Sequence, residues 1–289
     1  MTGGLVLVIA LLLSAVTCRL VLGVLKNWKR VQTLNYLGER VTGSAGIAIV
    51  AGSLVGWLVL IMSQSWLETD RLLLLAVRSA LGQDSDRQIW VIFPLVAFVF
   101  CLIGLSDDLW GNPTVRGLRG HLKSFFDERK LTTGAVKAVL GSLLALVVSF
   151  SWHGVRLEGL TGGCLIALSA NFINLLDKRP GRALKGFWLY SLLATVMAGP
   201  MGVIALSPLI AASLSYAPDD LHRRGMLGDA GSNPLGGAVG LVPALLSPLS
   251  FQVALCLILT AIHLYAETRS LTEDIKRSRI LSWLDRLGT

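Results

Sequence analysis

The chain has 289 residues, of which 53% are hydrophobic and 15% charged, with a formal net charge of +8. That balance excludes a water-soluble globular fold, because most side chains need an apolar solvent. The positive charge does not indicate nucleic acid: the basic residues are gathered between long apolar runs, where lysine and arginine report membrane topology. Cys18, Cys101, Cys164 and Cys256 are scattered singly within apolar runs, without metal-ligand spacing, and read as small buried hydrophobes.

Apolar runs close to the roughly 18 to 20 residues needed to cross a bilayer recur along the whole chain. They predict an all-α, polytopic transmembrane helical bundle of about nine spans, over 4–25, 44–62, 89–105, 132–151, 159–176, 183–198, 202–216, 233–246 and 249–266. Gly199-Pro200 and Ser247-Pro248 are read as tight turns, since proline removes a backbone donor and glycine adds backbone freedom. The first span has almost no charge before it and a basic segment after it, so the amino terminus is expected outside. Alternating from there, all 26 lysines and arginines except Arg71, Arg78, Arg87 and Arg156 fall on inner segments. Residues 1–266 therefore read as one transmembrane domain. Residues 267–289 read as a cytoplasmic amphipathic tail, an interfacial helix carrying Ile275, Ile280, Leu281, Trp283, Leu284 and Leu287 among basic residues.

Three polar clusters fall on the inner segments. The third span ends at Asp107-Asp108, two carboxylates whose mutual repulsion is relieved most easily by a nearby cation. The plainer reading is a solvated loop start. The fifth span ends with Asn171, Asn174 and Asp177, three apart and so expected on one helix face, followed by Arg182 and Lys185. Amides within an apolar span have to face protein, water or ligand. A helix-to-helix hydrogen bond would account for the asparagines but not for the charges after them. Before the eighth span lies Gly228-Asp229-Ala-Gly231-Ser232-Asn-Pro234-Leu-Gly236-Gly237. Here Ser232 is expected as N-cap and Pro234 in the first turn, so a glycine-lined loop feeds a helix amino terminus suited to phosphate. Asp229 beside a phosphate calls for a metal between them, whereas a glycine-rich turn between packed helices is the structural alternative.

Taken together and in this order, these residues resemble the polyprenyl-phosphate N-acetylhexosamine-1-phosphate transferase family, the membrane enzymes that start cell-envelope lipid intermediates. The resemblance covers most of the chain. It also takes in Asn35-Tyr-Leu-Gly-Glu-Arg40-Val41 with Gly43-Ser-Ala-Gly46 before the second span. It implies Mg²⁺-dependent transfer of a sugar-1-phosphate from a UDP-sugar to a polyprenyl phosphate lipid, with release of UMP. On this resemblance Asp107, Asp108 and Asp229 are catalytic and metal-binding. Asn35, Arg40, Lys137, Asn171, Asn174, Asp177, Arg182, Lys185, Gly231 and Ser232 are substrate-binding. The setting implied is the bacterial cytoplasmic membrane with the active face cytoplasmic, and a homodimer is compatible with it.

The chain departs from the family's pattern at several places. Gly111 stands where many members have a lysine, and Lys178-Arg179-Pro180-Gly181 follows Asp177 where a second aspartate is expected. No histidine-rich loop occurs, since His121, His153, His222 and His263 are dispersed. The tail replaces a tenth helix. A catalytically silent relative that binds polyprenyl lipid is therefore an alternative. A transporter ranks below it, because the acidic clusters lie at span ends and not at mid-membrane.

Overall fold

The computed structural model describes residues 2–35, 37–63, 85–111 and 132–288. Tyr36, the expected outer loop with Arg71 and Arg78, and most of the segment between Asp107 and Lys137, including His121, lie outside these residues. Among them are ten helices and one small β-hairpin. The helices are α1 (Thr2–Asn27), α2 (Ile47–Met62), α3 (Ser85–Trp110), α4 (Thr133–His153), α5 (Leu157–Leu176), α6 (Arg182–Leu221), α7 (Asp229–Leu246), α8 (Leu249–Thr268), α9 (Leu271–Arg277) and α10 (Arg279–Arg286). Six of them, α1, α3, α4, α5, α6 and α8, are long and apolar enough to cross a membrane, and α2 is a shorter apolar helix. The chain is an all-α membrane bundle.

The long helix α6 is two arms. Gly199 takes φ 68°, ψ −161°, a conformation that glycine adopts without strain, and Pro200 follows it. Trp188 Nε1 donates to Ser213 Oγ at 3.0 Å. In a continuous helix those residues would stand about 37 Å apart at 1.5 Å per residue. The chain therefore reverses at Gly199-Pro200, where the sequence predicts a turn. At Ser247 the helix α7 stops, and α8 starts directly after Pro248.

The centre of the bundle is α7, buried without interruption from Ala230 to Leu245 and packed by α5, α3 and the α6 arms. Its side chains are mostly small, which lets neighbouring backbones come close. A side chain at Gly46 would collide with the backbone of Gly231, and one at Gly104 with the backbone of Asp229. Around this axis, Trp57 of α2 is fully buried and donates Nε1 to the Ala205 carbonyl at 2.8 Å. Leucines and valines of the outer helices, such as Leu12, Leu102, Leu143, Leu192 and Leu257, face outward, as a lipid-solvated exterior requires.

Hydrogen bonds and ion pairs place one set of helix ends together. Asp219 at the end of α6 pairs with Arg19 and with Lys26 of α1. Ala45 N and Gly46 N before α2 donate to the Met226 and Leu227 carbonyls. Gly181 N before α6 donates to Asp220 Oδ2 at 2.7 Å. At the opposite end, His153 Nε2 and Gln252 Nε2 both reach the Ala244 carbonyl.

Two segments differ from expectation. The first polar segment forms strands β1 (Gln32–Leu34) and β2 (Arg40–Thr42), paired antiparallel, where the sequence suggests only a loop. The tail is two short helices and not one, because Ser278 is extended at ψ 124° and its Oγ accepts from Leu281 N to start α10 afresh.

Candidate functional site

Asp107 and Asp108 end α3, Lys137 lies one turn into α4, and Asp229 opens α7. The geometry brings all four together. Lys137 Nζ bonds Asp107 Oδ2 at 2.8 Å and also bonds Asp229 Oδ2, and the three side chains are only 17–20% exposed. Two carboxylates from distant stretches thus aim at one cationic point, and the ammonium relieves a repulsion that neither could bear alone in a partly dry site. Lys137 is held there because Thr132 caps α4, its Oγ1 accepting from Ala135 N at 3.2 Å.

Asp108 has another task. Its Oδ1 accepts from the backbone N–H of Asp229 at 2.9 Å and its Oδ2 from Ala230 N at 3.1 Å. The carboxylate therefore caps α7 from outside, meeting the free N–H groups and positive end of the helix dipole. This corrects the expectation that Ser232 is the N-cap. The helix starts at Asp229, and Ser232 is already inside it and fully buried. A cap supplied by another helix made a local one unnecessary. Ser232 Oγ instead donates to Asn174 Oδ1 at 3.3 Å, tying α7 to the end of α5. Gly231 serves the close approach to Gly46.

Of the α5 trio, Asn174 turns inward. Asn171 is on the exposed surface with no side-chain partner among the described residues, so the two do not share an environment. Asp177 is past the helix end, at φ −74°, ψ 59°, and not on its face. Enclosure among the helix ends, and next the repulsion of Asp220, Asp229 and Asp108, pushes its carboxyl well above the usual carboxylate range. Asp177, Asp220, Asp229 and Asp108 therefore form one acidic neighbourhood.

The remaining sequence-predicted residues lie around it. Asn35 is spent on the β-hairpin turn: its Oδ1 accepts from Leu37 N and Glu39 N, and its Nδ2 donates to Glu39 Oε2 at 2.9 Å. Arg40 is exposed on β2 at the rim of a cavity of about 560 Å³ shared with Lys26, His222, Arg223 and Arg224. A smaller cavity of about 240 Å³ opens directly beside Asp108, between Arg30, Thr33, Ser44 and Gly228. Arg182 and Lys185 face the tail. Arg182 Nε and Nη2 hold both carboxylate oxygens of Asp285 at 2.7 and 2.8 Å, and Lys185 Nζ donates to the Leu284 and Asp285 carbonyls.

Sequence reasoning did not single out Asp219, Asp220, Tyr216 or Asn233. Asp219 is 1% exposed and locks α1 to α6. Tyr216 Oη and Asn233 Nδ2 are buried with no hydrogen-bond partner among the described residues, and a buried donor left open is costly unless water or a ligand meets it. The available signal was the Pro218-Asp219-Asp220 run closing an apolar segment, which repeats the pattern of the Asp107-Asp108 pair.

No family profile and no curated protein matches the chain.

For a metal, the donor chemistry decides. Two hard carboxylate oxygens aimed at one cationic point suit a small divalent ion that completes its shell with water and phosphate. Asp107 and Asp229 form that pair. Asp108 is committed to N–H groups, and no set of three His, Cys, Asp or Glu ligands assembles among the described residues.

Proposed function

We propose that the chain is a membrane enzyme transferring a sugar-1-phosphate from a UDP-sugar, a UDP-N-acetylhexosamine in the leading reading, to a polyprenyl phosphate. The carrying observation is the convergence of Asp107 and Asp229 on one cationic point beside the amino terminus of a buried, glycine-rich helix. In the reaction, a phosphate oxygen of the lipid attacks the sugar-bearing phosphorus. The bond from that phosphorus to the bridging oxygen breaks, and UMP departs with the bonding pair. Transfer of this kind needs alignment and charge neutralisation more than a covalent nucleophile.

A bound Mg²⁺ supplies charge neutralisation on the diphosphate, with Asp107 and Asp229 as the residues that would hold it. Lys137 then turns from the carboxylates to phosphate oxygens as a point charge. Asp108 keeps the start of α7 in place, and Asn174 with Ser232 fixes the end of α5 against it. The expected nine crossings, alternating from an outer amino terminus, turn this end of the bundle toward the cytoplasm, with most of the basic residues, and the resemblance implies a bacterial membrane. A homodimer is compatible with this arrangement.

The test is UMP exchange by the purified chain with Mg²⁺, polyprenyl phosphate and a panel of labelled UDP-sugars. Asp229→Asn is expected to lower exchange by about a hundredfold or more, in the range for losing one charge-stabilising group, with thermal unfolding near that of the parent. Full-rate exchange by that variant removes the mechanism. A second reading, a silent relative that only binds polyprenyl lipid, draws on Lys137 occupying the cationic point and on the tail claiming Arg182 and Lys185. Lipid binding with no exchange for any donor decides for it.

A further inference from the structure

The helix α10 has two unlike edges. Ile280, Trp283, Leu284 and, just past the helix end, Leu287 recur at helical spacing along one side, and all four are exposed, Ile280 by 72% and Trp283 by 59%. The opposite edge is latched. Asp285 is gripped in bidentate fashion by Arg182, Thr272 of α9 accepts from the same guanidinium at 2.9 Å, and Lys185 takes two carbonyls of the last turn.

The latch fixes which way the stripe can face. With the Asp285 edge held at the start of α6, the helix cannot roll its apolar side inward. The latch also stands where α6 begins, a few residues before Leu189, Leu192 and Leu193, all exposed on the apolar exterior. The stripe therefore continues the lipid-facing belt at its boundary. Lys276, Arg277, Arg279 and Arg286 are exposed along the same segment, which suits anionic headgroups.

We propose that α10 lies in the lipid–water interface of an anionic leaflet, with Ile280, Trp283 and Leu287 inserted among the acyl chains and Asp285 mooring it to Arg182 and Lys185. The partner is a lipid surface and not a second copy of the chain, because the stripe is rimmed by cations that complement phosphate and would face like charges across a two-fold contact. This inference stands or falls independently of the transfer reading, since it uses neither the acidic cluster nor any turnover.

The full-length chain is reconstituted in vesicles containing phosphatidylglycerol, with a photoreactive benzoylphenylalanine placed at position 283 or, as a control on the latched side, at position 282. Illumination is expected to give lipid adducts from 283, at several-fold the yield from 282, and the yield from 283 is expected to drop when the anionic lipid is replaced by a zwitterionic one. Asp285→Ala is expected to erase the contrast between the two positions. Adducts from 283 to a second chain, adducts to the bundle, or equal yields from both positions in the parent chain overturn the proposal. So does a yield that ignores lipid charge.

Discussion

Lys137 is the residue on which the charge balance of the site turns. Its single positive charge offsets part of the charge of two carboxylates that otherwise face each other across about the same point, and removing it leaves more charge uncompensated. Lys137→Met is expected to cost on the order of 2 kcal/mol, below the roughly 3–5 of a fully buried pair because these side chains keep some water. The same variant separates a structural from a metal-holding role for Asp107 and Asp229. With the ammonium gone, added Mg²⁺ is expected to raise its thermal midpoint more than that of the parent, by linkage to binding. Equal shifts in both chains would show that the two carboxylates do not share an ion. At this scale the sequence was only half legible. The acidic and amide residues stood out, but their division of labour did not, because Asp108 caps a helix more than a hundred residues away and Arg182 answers to a tail residue. Contacts across such distances leave no local pattern to read.

Among the elements, the apolar helices were the most legible, since lipid demands long unbroken runs and the Gly199-Pro200 turn announces itself by residue type. The hairpin of β1 and β2 was not, being three residues a side and held by Asn35 and the loop that carries Gly225. Packing of α2 on α7 depends on Gly46. Gly46→Val is expected to destabilise the bundle by about 1–3 kcal/mol through overpacking. Gly23→Ala, where an added carbon meets nothing within 4 Å, is expected to stay neutral or to stabilise by up to about 1 kcal/mol through helix propensity. Thermal unfolding in one detergent compares them, and equal losses would refute the close-contact account. For the tail, the hydrogen bonds from Arg182, aided by the charges of Lys185 and Arg179 and opposed by burial, hold the Asp285 carboxyl below its usual range. A depressed carboxylate stabilises docking fully above its free value of about 3.9 and loses that contribution as pH falls through the lower docked value. Amide protection of 279–286 is thus expected to be level from pH 8 to about 5 and to fall only in stronger acid. Asp285→Asn should abolish that acid-dependent step, and a step near neutrality in the parent would contradict the latch.

For the whole molecule, the clustering of helix ends makes sidedness measurable. In a chain whose four native cysteines are replaced by alanine, single cysteines at Arg30, Lys178 or His222 are expected to react with an impermeant thiol reagent from one face only, and one at Val155 from the other. Labelling of Lys178 and His222 positions from opposite faces would break the proposed nine-crossing arrangement, since the α6 hairpin returns both to the same end. The bundle's middle is the part least visible in a hydropathy profile. Because α7 is wrapped by other helices from Ala230 to Leu245, its residues never have to dissolve in hydrocarbon. On the proposed topology such a segment is a poor passenger during synthesis: too rich in glycine and polar groups to partition by itself, it has to enter the bilayer under the escort of earlier helices. The piece that carries Asp229 would then be among the last to settle, and the chain acquires its acidic centre only once the surrounding wall has been built.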